Sequence, residues 1–170
     1  MDAKLKHYAI EIVRMAKEDR KWRNGIIKGA TNWADCPDDK NTDRMKQIVR
    51  EIGWPSIPKV GPAASTEAWL LVQHADHDKS GFQAKCLALM KELPEGEVDK
   101  HDIAYLEDRV RSNSGQPLLY GTQFRRNQDD EWEVLPTEDV EHLDERRASM
   151  GLEPFSIKLA GIKKRYKNLR

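Results

Sequence analysis

The chain has 170 residues, 34% of them charged, and its 29 lysines and arginines balance its 29 aspartates and glutamates. This length suits one domain with a substantial core, so we expect residues 1–170 to form a single domain. The charge balance does not indicate a nucleic-acid-binding protein, and no apolar run approaches the length of a membrane span. The oligomeric state is not indicated.

The two cysteines, Cys36 and Cys86, have no paired spacing. Together with the lack of a signal-like apolar segment at the start, this favours a cytoplasmic protein with free thiols. Cys86 falls on the apolar stripe of a predicted helix and is typical of a small core residue. Cys36 precedes Pro37 in a predicted loop, so we expect it to be the more exposed thiol.

Apolar residues at helical spacing predict that most of the chain is helical. The first helix should run from about residue 2 to about residue 22, followed by a long loop to about residue 41 that Trp33 anchors. Thr42 is the expected cap of a second helix that ends at Gly53. Further helices are predicted over about 65–78, over about 82–93, from Asp99, from Thr137 to Gly151, and after Pro154. The last helix carries the basic residues of the C-terminus, which suit a solvated helix end, namely Lys158, Lys163, Lys164, Arg165, Lys167 and Arg170.

After Gly115 the apolar pattern changes from helical to alternating. Tyr120, Thr122 and Phe124 share one face of a predicted strand. Trp132 and Val134 belong to a second strand, and residues 127–130 form the turn between the two. The expected fold is therefore mainly α, a compact bundle of about six or seven helices with one small antiparallel β-hairpin.

The densest group of ionisable residues is the segment Gln73-His74-Ala75-Asp76-His77-Asp78, at the end of the helix predicted over about 65–78. At about 100° per residue, His74 lies at the edge of the buried stripe, in line with Glu67 and Asp78. An imidazole at such a boundary accepts and returns a proton near neutral pH. His74 is therefore the candidate general acid or base, and Asp78, one turn later, is the candidate to orient it.

Several short motifs follow one another in a specific order. They are Gly53-Trp54-Pro55, Val60-Gly61, Ala68-Trp69-Leu70 with Gln73-His74-Ala75-Asp76, Tyr105-Leu106 with Asp108-Arg109, Tyr120-Gly121-Thr122-Gln123-Phe124, and Arg146-Arg147 with Gly151-Leu152. Over residues 41–157 this pattern resembles an uncharacterised family of bacterial helical domains. The resemblance implies no particular reaction or cofactor. It does imply a shortlist of site residues, which comprises His74, Asp76, Asp108, Arg109, Tyr120, Thr122 and Gln123.

Physical chemistry suggests a role for each candidate. Arg109 offers a planar, permanently charged group for an anionic substrate, while Tyr120 and Gln123 offer neutral hydrogen bonds. Tyr120 and Gln123 lie on opposite faces of a regular strand, so both line one pocket only if Gly121 distorts it. We assign His74, Asp76, Asp108 and Arg109 as catalytic candidates. The substrate-binding candidates are Trp54, Gln73, Tyr120, Thr122 and Gln123.

Two classes of function fit these residues. The first is a small cofactor-independent enzyme, in which His74 moves a proton and Arg109 holds a small polar or peptide-like substrate during hydrolysis, elimination or cyclisation. The second is a non-catalytic binding or interaction module of a bacterial pathway, and the same residues also fit the polar scaffold of a helical domain. We favour the enzyme because its ionisable residues cluster at core edges, which an adaptor does not require.

A metal site is the third possibility. His74 and His77 are three residues apart and can reach the same ion, with Asp78 or Glu67 as a third ligand. The other histidines are isolated in sequence, so no second ligand cluster of recognisable spacing occurs. We therefore expect no metal and no cofactor, and a metal-dependent enzyme with a His74/His77 site is kept as an alternative.

Overall fold

The computed structural model describes residues 2–129 and 131–167, with side chains described up to residue 164. Its described residues form eight α-helices and one two-stranded antiparallel sheet, which confirms the mainly α fold with a small hairpin. The helices are α1 (Ala3–Ile27), α2 (Asp38–Ile52), α3 (Ile57–Val60), α4 (Pro62–Gln73), α5 (Phe82–Lys91), α6 (Lys100–Asn113), α7 (Leu143–Ser149) and α8 (Phe155–Lys167), and the strands are β1 (Phe124–Arg126) and β2 (Trp132–Val134).

The chain divides into two compact units, Met1–Asp99 and Lys100–Arg170. The first unit contains α1 to α5 and the second contains α6 to α8 with the hairpin. The expectation of a single domain stays a prediction.

Helix α1 is longer than the apolar pattern indicates. It begins after Asp2, whose side chain accepts a hydrogen bond from the Leu5 amide, and it runs to Ile27 rather than to residue 22. Gly25 lies inside this helix, and a Cβ at this position would meet the Thr31 side chain at 2.4 Å. One face of α1 is buried, and its members are Tyr8, Ile12, Met15, Ala16, Asp19 and Trp22.

Helix α2 begins at Asp38, four residues before the expected cap Thr42, which lies buried inside the helix. Asp38 and Asp39 occupy the first turn, where carboxylates interact favourably with the positive end of the helix dipole. The prediction that Thr42 caps this helix is therefore wrong. The loop before α2 is also shorter than expected.

Helix α4 is the central helix of the first unit, since it contacts α1, α2, α3 and α5. It ends at Gln73, so the prediction that the helix continues to Asp78 is wrong. The reason lies on α5, where Gln83 Nε2 donates to the carbonyl oxygens of Val72 and Gln73 at 3.1 and 3.3 Å. These bonds satisfy two of the carbonyl groups that lack an intrahelical partner at the end of a helix.

The hairpin of the second unit pairs Phe124 with Val134 and Arg126 with Trp132. Its first strand begins at Phe124, so the prediction that the strand includes residues 120–123 is wrong. Thr137 does not cap a helix, because its hydroxyl donates to the Leu135 carbonyl at 2.9 Å. Helix α7 begins later, after a short 3₁₀ turn at Val140–His142.

Helix α8 starts directly after Pro154, as expected. The side chains of Arg165 and Lys167 and the whole of Arg170, which belong to the predicted basic end, lie outside the described part. None of the helices in the described ranges combines the length and apolar character that crossing a membrane requires.

Candidate functional site

The candidate site lies in the first unit, where His74 meets a carboxylate from α1. His74 Nδ1 lies 3.1 Å from Asp19 Oδ2, and 21% of the His74 side chain is exposed while Asp19 is fully buried. A buried carboxylate is destabilising unless it is paired and hydrogen-bonded. Asp19 therefore requires a partner such as His74, and the pair fixes the orientation of the imidazole.

Arg23, one turn after Asp19 on α1, joins the two to the start of α2. Its Nε lies 3.2 Å from each carboxylate oxygen of Asp19, and its Nη2 donates to Asp38 Oδ1 at 2.7 Å. One guanidinium thus bridges two carboxylates from different helices. Such charge-assisted bonds are stronger than neutral ones, so they hold α1 and α2 in register at this point.

The neighbours of His74 determine whether its Nδ1 carries a hydrogen. Arg23 Nε lies 3.1 Å from Nδ1 and carries a hydrogen, but Nδ1 cannot accept this hydrogen and also donate one to Asp19. A fully buried carboxylate next to Nδ1 favours the form in which Nδ1 donates to Asp19. Arg23 Nε then donates to Asp19 alone.

This assignment leaves His74 Nε2 as the available ring nitrogen. Within residues 2–129 and 131–167, Nε2 has no hydrogen-bond partner, since both contacts of the ring involve Nδ1. In the neutral imidazole Nε2 then carries the lone pair. A histidine held through Nδ1 by a carboxylate, with Nε2 available, is the arrangement that general-base catalysis uses.

The electrostatics of Asp19 support this arrangement. Burial raises the pKa of Asp19, but the hydrogen bond and charge of His74, together with Arg23, outweigh burial and bring that pKa below its usual value. Asp19 is therefore ionised at neutral pH. A buried, negatively charged carboxylate thus lies beside His74 Nδ1.

Cys36 lies next to this cluster, close to Asp38 and Arg23. Burial raises the pKa of the Cys36 thiol, and the side chain of Asp38 contributes in the same direction. A thiol of raised pKa is a weak nucleophile, so Cys36 is not activated as it stands. As expected, Cys36 is the more exposed of the two free cysteines, because Cys86 is buried. This burial raises the pKa of the Cys86 thiol to about 12.

The orienting role expected of Asp78 is wrong. Asp78 forms an ion pair with Lys46 and accepts hydrogen bonds from Ser80 and from the Phe82 amide. Because α4 ends at Gln73, Asp78 belongs to the turn that leads into α5 rather than to the turn of helix after His74. Asp19, from a different helix, has the position that was expected of Asp78.

The potential metal ligands of the described ranges form one group, which comprises Asp19, Asp38 and His74, with ligand atoms within 4.8 Å of one another. It differs from the expected set, because His77 lies 3.5 Å from Asp39 at the surface and Glu67 lies 2.6 Å from Arg20. The guanidinium of Arg23 already supplies a positive charge to both carboxylates of the group.

Three other candidates of the first unit have structural contacts. Trp54 is only 2% exposed and Gln73 only 5%, so neither offers much surface to a ligand. Asp76 Oδ1 lies 3.2 Å from Gln83 Nε2, the same amide that satisfies the end of α4. These contacts order the turn that presents His74.

In the second unit, Asp108 organises the loop that carries the Tyr-Gly-Thr-Gln motif. Asp108 is fully buried, and its carboxylate accepts hydrogen bonds from the amides of Leu119, Tyr120 and Thr122 at 2.7 to 3.1 Å. It also accepts one from the Thr122 hydroxyl at 2.9 Å. These bonds explain why the strand begins only at Phe124, since amides that bind Asp108 are not available to a neighbouring strand.

The same loop is distorted at Gly121, which was the condition for Tyr120 and Gln123 to line one pocket. Gly121 has a φ of 61°, a left-handed conformation that strands do not adopt. Thr122 and Gln123 are nevertheless buried, and Gln123 Nε2 donates to the Thr122 hydroxyl at 3.0 Å. Tyr120 is half-buried, and burial raises the pKa of its phenol, with the charges of Glu107 and Asp108 acting in the same direction.

Two consecutive arginines hold this loop from the other side. Arg147, 1% exposed, donates to the carbonyl oxygens of Tyr120 and Glu153 at 2.6 and 2.8 Å. Arg146 Nε donates to the Leu119 carbonyl at 2.8 Å. The Asp108 carboxylate and the Arg146-Arg147 pair thus bind the amides and the carbonyls of one short segment, which favours a scaffolding role for Asp108.

Arg109 lies half-buried on α6 in the second unit, whereas His74 lies in the first. Within the first unit, the arginine that contacts His74 is Arg23.

Three residues of the cluster were not predicted from the sequence, namely Asp19, Arg23 and Asp38. A signal for Asp19 was present, because it lies three residues after Ala16 and three before Trp22, on the buried face of α1.

The fold and this cluster define a mainly helical protein whose first unit places a carboxylate–histidine pair at a core edge. The chain belongs to a family of unknown function (DUF6624), whose model matches residues 7–167. No curated protein and no solved structure matches the chain.

Proposed function

We propose that the protein is a small enzyme in which His74 is the general acid and base and Asp19 positions it. Arg23 takes the anchoring role that the sequence analysis gave to Arg109. The observation that carries the proposal is the contact between buried Asp19 and His74 Nδ1, in a half-buried imidazole whose Nε2 has no partner in the described ranges. The bacterial source and cytoplasmic location belong to the same proposal, and rest on the motif pattern and the free thiols.

Asp19 acts through His74 rather than on the substrate. Its carboxylate holds Nδ1–H, so Nε2 takes a proton from water or from a substrate group and the resulting imidazolium is stabilised. The same nitrogen then returns the proton to a leaving group. Hydrolysis, elimination and cyclisation all use this pair of transfers.

Arg23 supplies the binding group. Its Nε and Nη2 are occupied by Asp19 and Asp38, but Nη1 has no hydrogen-bond partner in the described part of the chain, and 29% of the side chain is exposed. A guanidinium donates well to carboxylate and phosphate oxygens. The substrate is therefore a small polar or peptide-like molecule with an anionic group next to the bond that reacts.

The experiment is a comparison of turnover by the wild type, His74→Gln and Asp19→Asn on a mixture of small bacterial metabolites and dipeptides, followed by mass spectrometry. We expect the wild type to consume at least one compound. His74→Gln should consume that compound about 10²- to 10⁴-fold more slowly, and Asp19→Asn should consume it at an intermediate rate. The pH profile of Asp19→Asn should also shift, which a merely structural role would not cause.

His142→Gln is the matched control, because His142 also has a carboxylate partner, Asp139, at 2.9 Å from its Nδ1, but on the exposed surface. This variant should keep full activity. If no compound is consumed faster by the wild type than by His74→Gln, and both proteins are folded, the enzyme proposal fails. The interaction module is then favoured instead.

A metal-dependent enzyme is the second candidate, and the observation that favours it is the approach of Asp19, Asp38 and His74 to within 4.8 Å. Two carboxylates and an imidazole are suitable ligands for Zn²⁺ or Mn²⁺. Arg23 competes with any ion for both carboxylates, so Arg23→Gln should bind added Zn²⁺ more tightly than the wild type. Elemental analysis of protein purified without a histidine tag tests for a resident metal, and a metal-free sample with full activity excludes this candidate.

A further inference from the structure

A concave surface of the first unit lies apart from the residues of the proposed enzyme site. It is a groove of about 240 Å³ between α2 and the start of α5. Its lining residues are Lys46, Val49, Arg50, Ser80, Phe82 and Lys85. None of the candidate catalytic or substrate-binding residues is among them.

The groove is strongly cationic. Three of its six lining side chains are positively charged, and only Lys46 has an anionic partner, Asp78. Arg50 and Lys85 form no ion pair or side-chain hydrogen bond within the described ranges. The chain as a whole has a formal net charge of +0, so this local excess is not a consequence of its composition.

Converging unpaired cations in a concave surface attract an anion more strongly than the same charges on a convex one, because the low-dielectric walls focus their field. The start of α5 adds little here, since the Phe82 amide is already bonded to Asp78. The side chains of Arg50 and Lys85 are the available donors. Arg50 offers a forked guanidinium and Lys85 an ammonium, the two groups that proteins use for phosphate.

The groove also has an apolar part. Val49 and Phe82 line it, and Lys46 Nζ lies 5.9 Å from the centre of the Phe82 ring. An inorganic phosphate ion would leave the apolar side chains of Val49 and Phe82 uncovered. An ester that carries an apolar group beside its phosphate would cover Phe82 and bring its charge to Arg50 and Lys85 at the same time.

We propose that this groove binds a small phosphate ester, with the phosphate between Arg50 and Lys85 and an apolar group against Phe82 and Val49. The volume admits a ligand of about the size of phenyl phosphate and is below the usual range for larger cofactors. The inference stands independently of the proposed enzyme, because the two sites share no residue.

The test is a titration of the full chain with inorganic phosphate and with phenyl phosphate, followed by NMR of the backbone amides at constant ionic strength. Saturable shifts should concentrate in residues 46–50 and 80–85, and phenyl phosphate should bind several-fold more tightly than inorganic phosphate. In the Arg50→Gln/Lys85→Gln variant both ligands should bind at least about tenfold more weakly, since hydrogen bonds to charged groups are lost.

Lys17→Gln/Lys21→Gln is the matched control, because it removes two exposed lysines of α1 and changes the net charge equally. This variant should bind both ligands as the wild type does. Shifts that never saturate, or an equal loss in the two double variants, would show general charge screening and overturn the proposal. Equal affinity for the two ligands would overturn the apolar part of the site.

Discussion

Asp19 in the first unit and Asp108 in the second are both fully buried carboxylates, but their partners are of different kinds. Asp108 accepts hydrogen bonds from three backbone amides and one hydroxyl, all from a single loop. Asp19 is bonded to two side chains, His74 and Arg23, each of which is partly exposed. The same chemical group thus has two different environments in one chain.

The difference separates a carboxylate that orders the backbone from one that holds an ionisable side chain. Backbone amides have no charge to gain or lose, so a carboxylate that binds them sets the path of the chain and little else. A carboxylate that binds an imidazole fixes which ring nitrogen carries the hydrogen and which one is left for other groups. Because His74 is also partly exposed, the buried charge of Asp19 lies only one side chain away from solvent.

The largest expected effect is on stability, from Asp108→Asn. The amide group of asparagine places donors against backbone donors that cannot turn away, so we expect the free energy of unfolding to fall by about 3 to 4 kcal/mol. Urea denaturation measures this change, and hydrogen exchange should accelerate at the amides of Leu119, Tyr120 and Thr122.

Asp144→Asn is the control for this substitution. Asp144 also accepts an amide hydrogen bond, from Phe155 at 2.7 Å, but at an exposed position. It should cost no more than about 1 kcal/mol.

A smaller loss is expected from the same substitution at Asp19. His74 and Arg23 are side chains that can turn towards solvent, and removal of a buried charge also recovers part of the cost of burying it. Asp19→Asn should therefore lower the free energy of unfolding by about 1 to 2 kcal/mol in the same urea experiment. If Asp19→Asn were as costly as Asp108→Asn, the distinction between the two carboxylates would not hold.

Asp78 is the intermediate case, because it binds one lysine, one hydroxyl and two backbone amides. Burial raises its pKa, but the hydrogen bonds from Lys46, Ser80 and the Phe82 amide outweigh burial and bring the pKa down to about 2. A carboxyl whose pKa is lower in the folded state stabilises the fold above its unfolded pKa, about 3.9, and loses that contribution as the pH falls.

The stability difference between the wild type and Asp78→Asn should accordingly be constant above about pH 5 and shrink between about pH 4 and about pH 2. We expect a difference of about 1 to 2 kcal/mol, since solvent screens the ion pair with Lys46. Thermal unfolding at a series of pH values measures it. Asp43→Asn removes an exposed carboxylate of α2 and serves as the control for the loss of one charge. A difference that grows on acidification would contradict the assignment of Asp78.

Most of the fold could be predicted because helical periodicity is a local property. The errors occur where a distant group binds the backbone. Gln83 ends α4 from 11 residues away, and Asp108 prevents a strand at Thr122 from 14 residues away. A pattern of apolar residues carries no information about such bonds, so several ends of elements were wrong. The short helix α3 (Ile57–Val60) was not predicted at all, while the other helices and the hairpin were.

The sequence by itself determined the mainly helical class, the small hairpin, and His74 as a half-buried imidazole at a core edge. Only the tertiary structure decided which residues surround that imidazole. Arg23 and His74 are 51 residues apart, and no spacing rule relates them. The physical reason is that a buried charge must find a partner in space, and packing of α1 against α4 makes His74 the partner of Asp19.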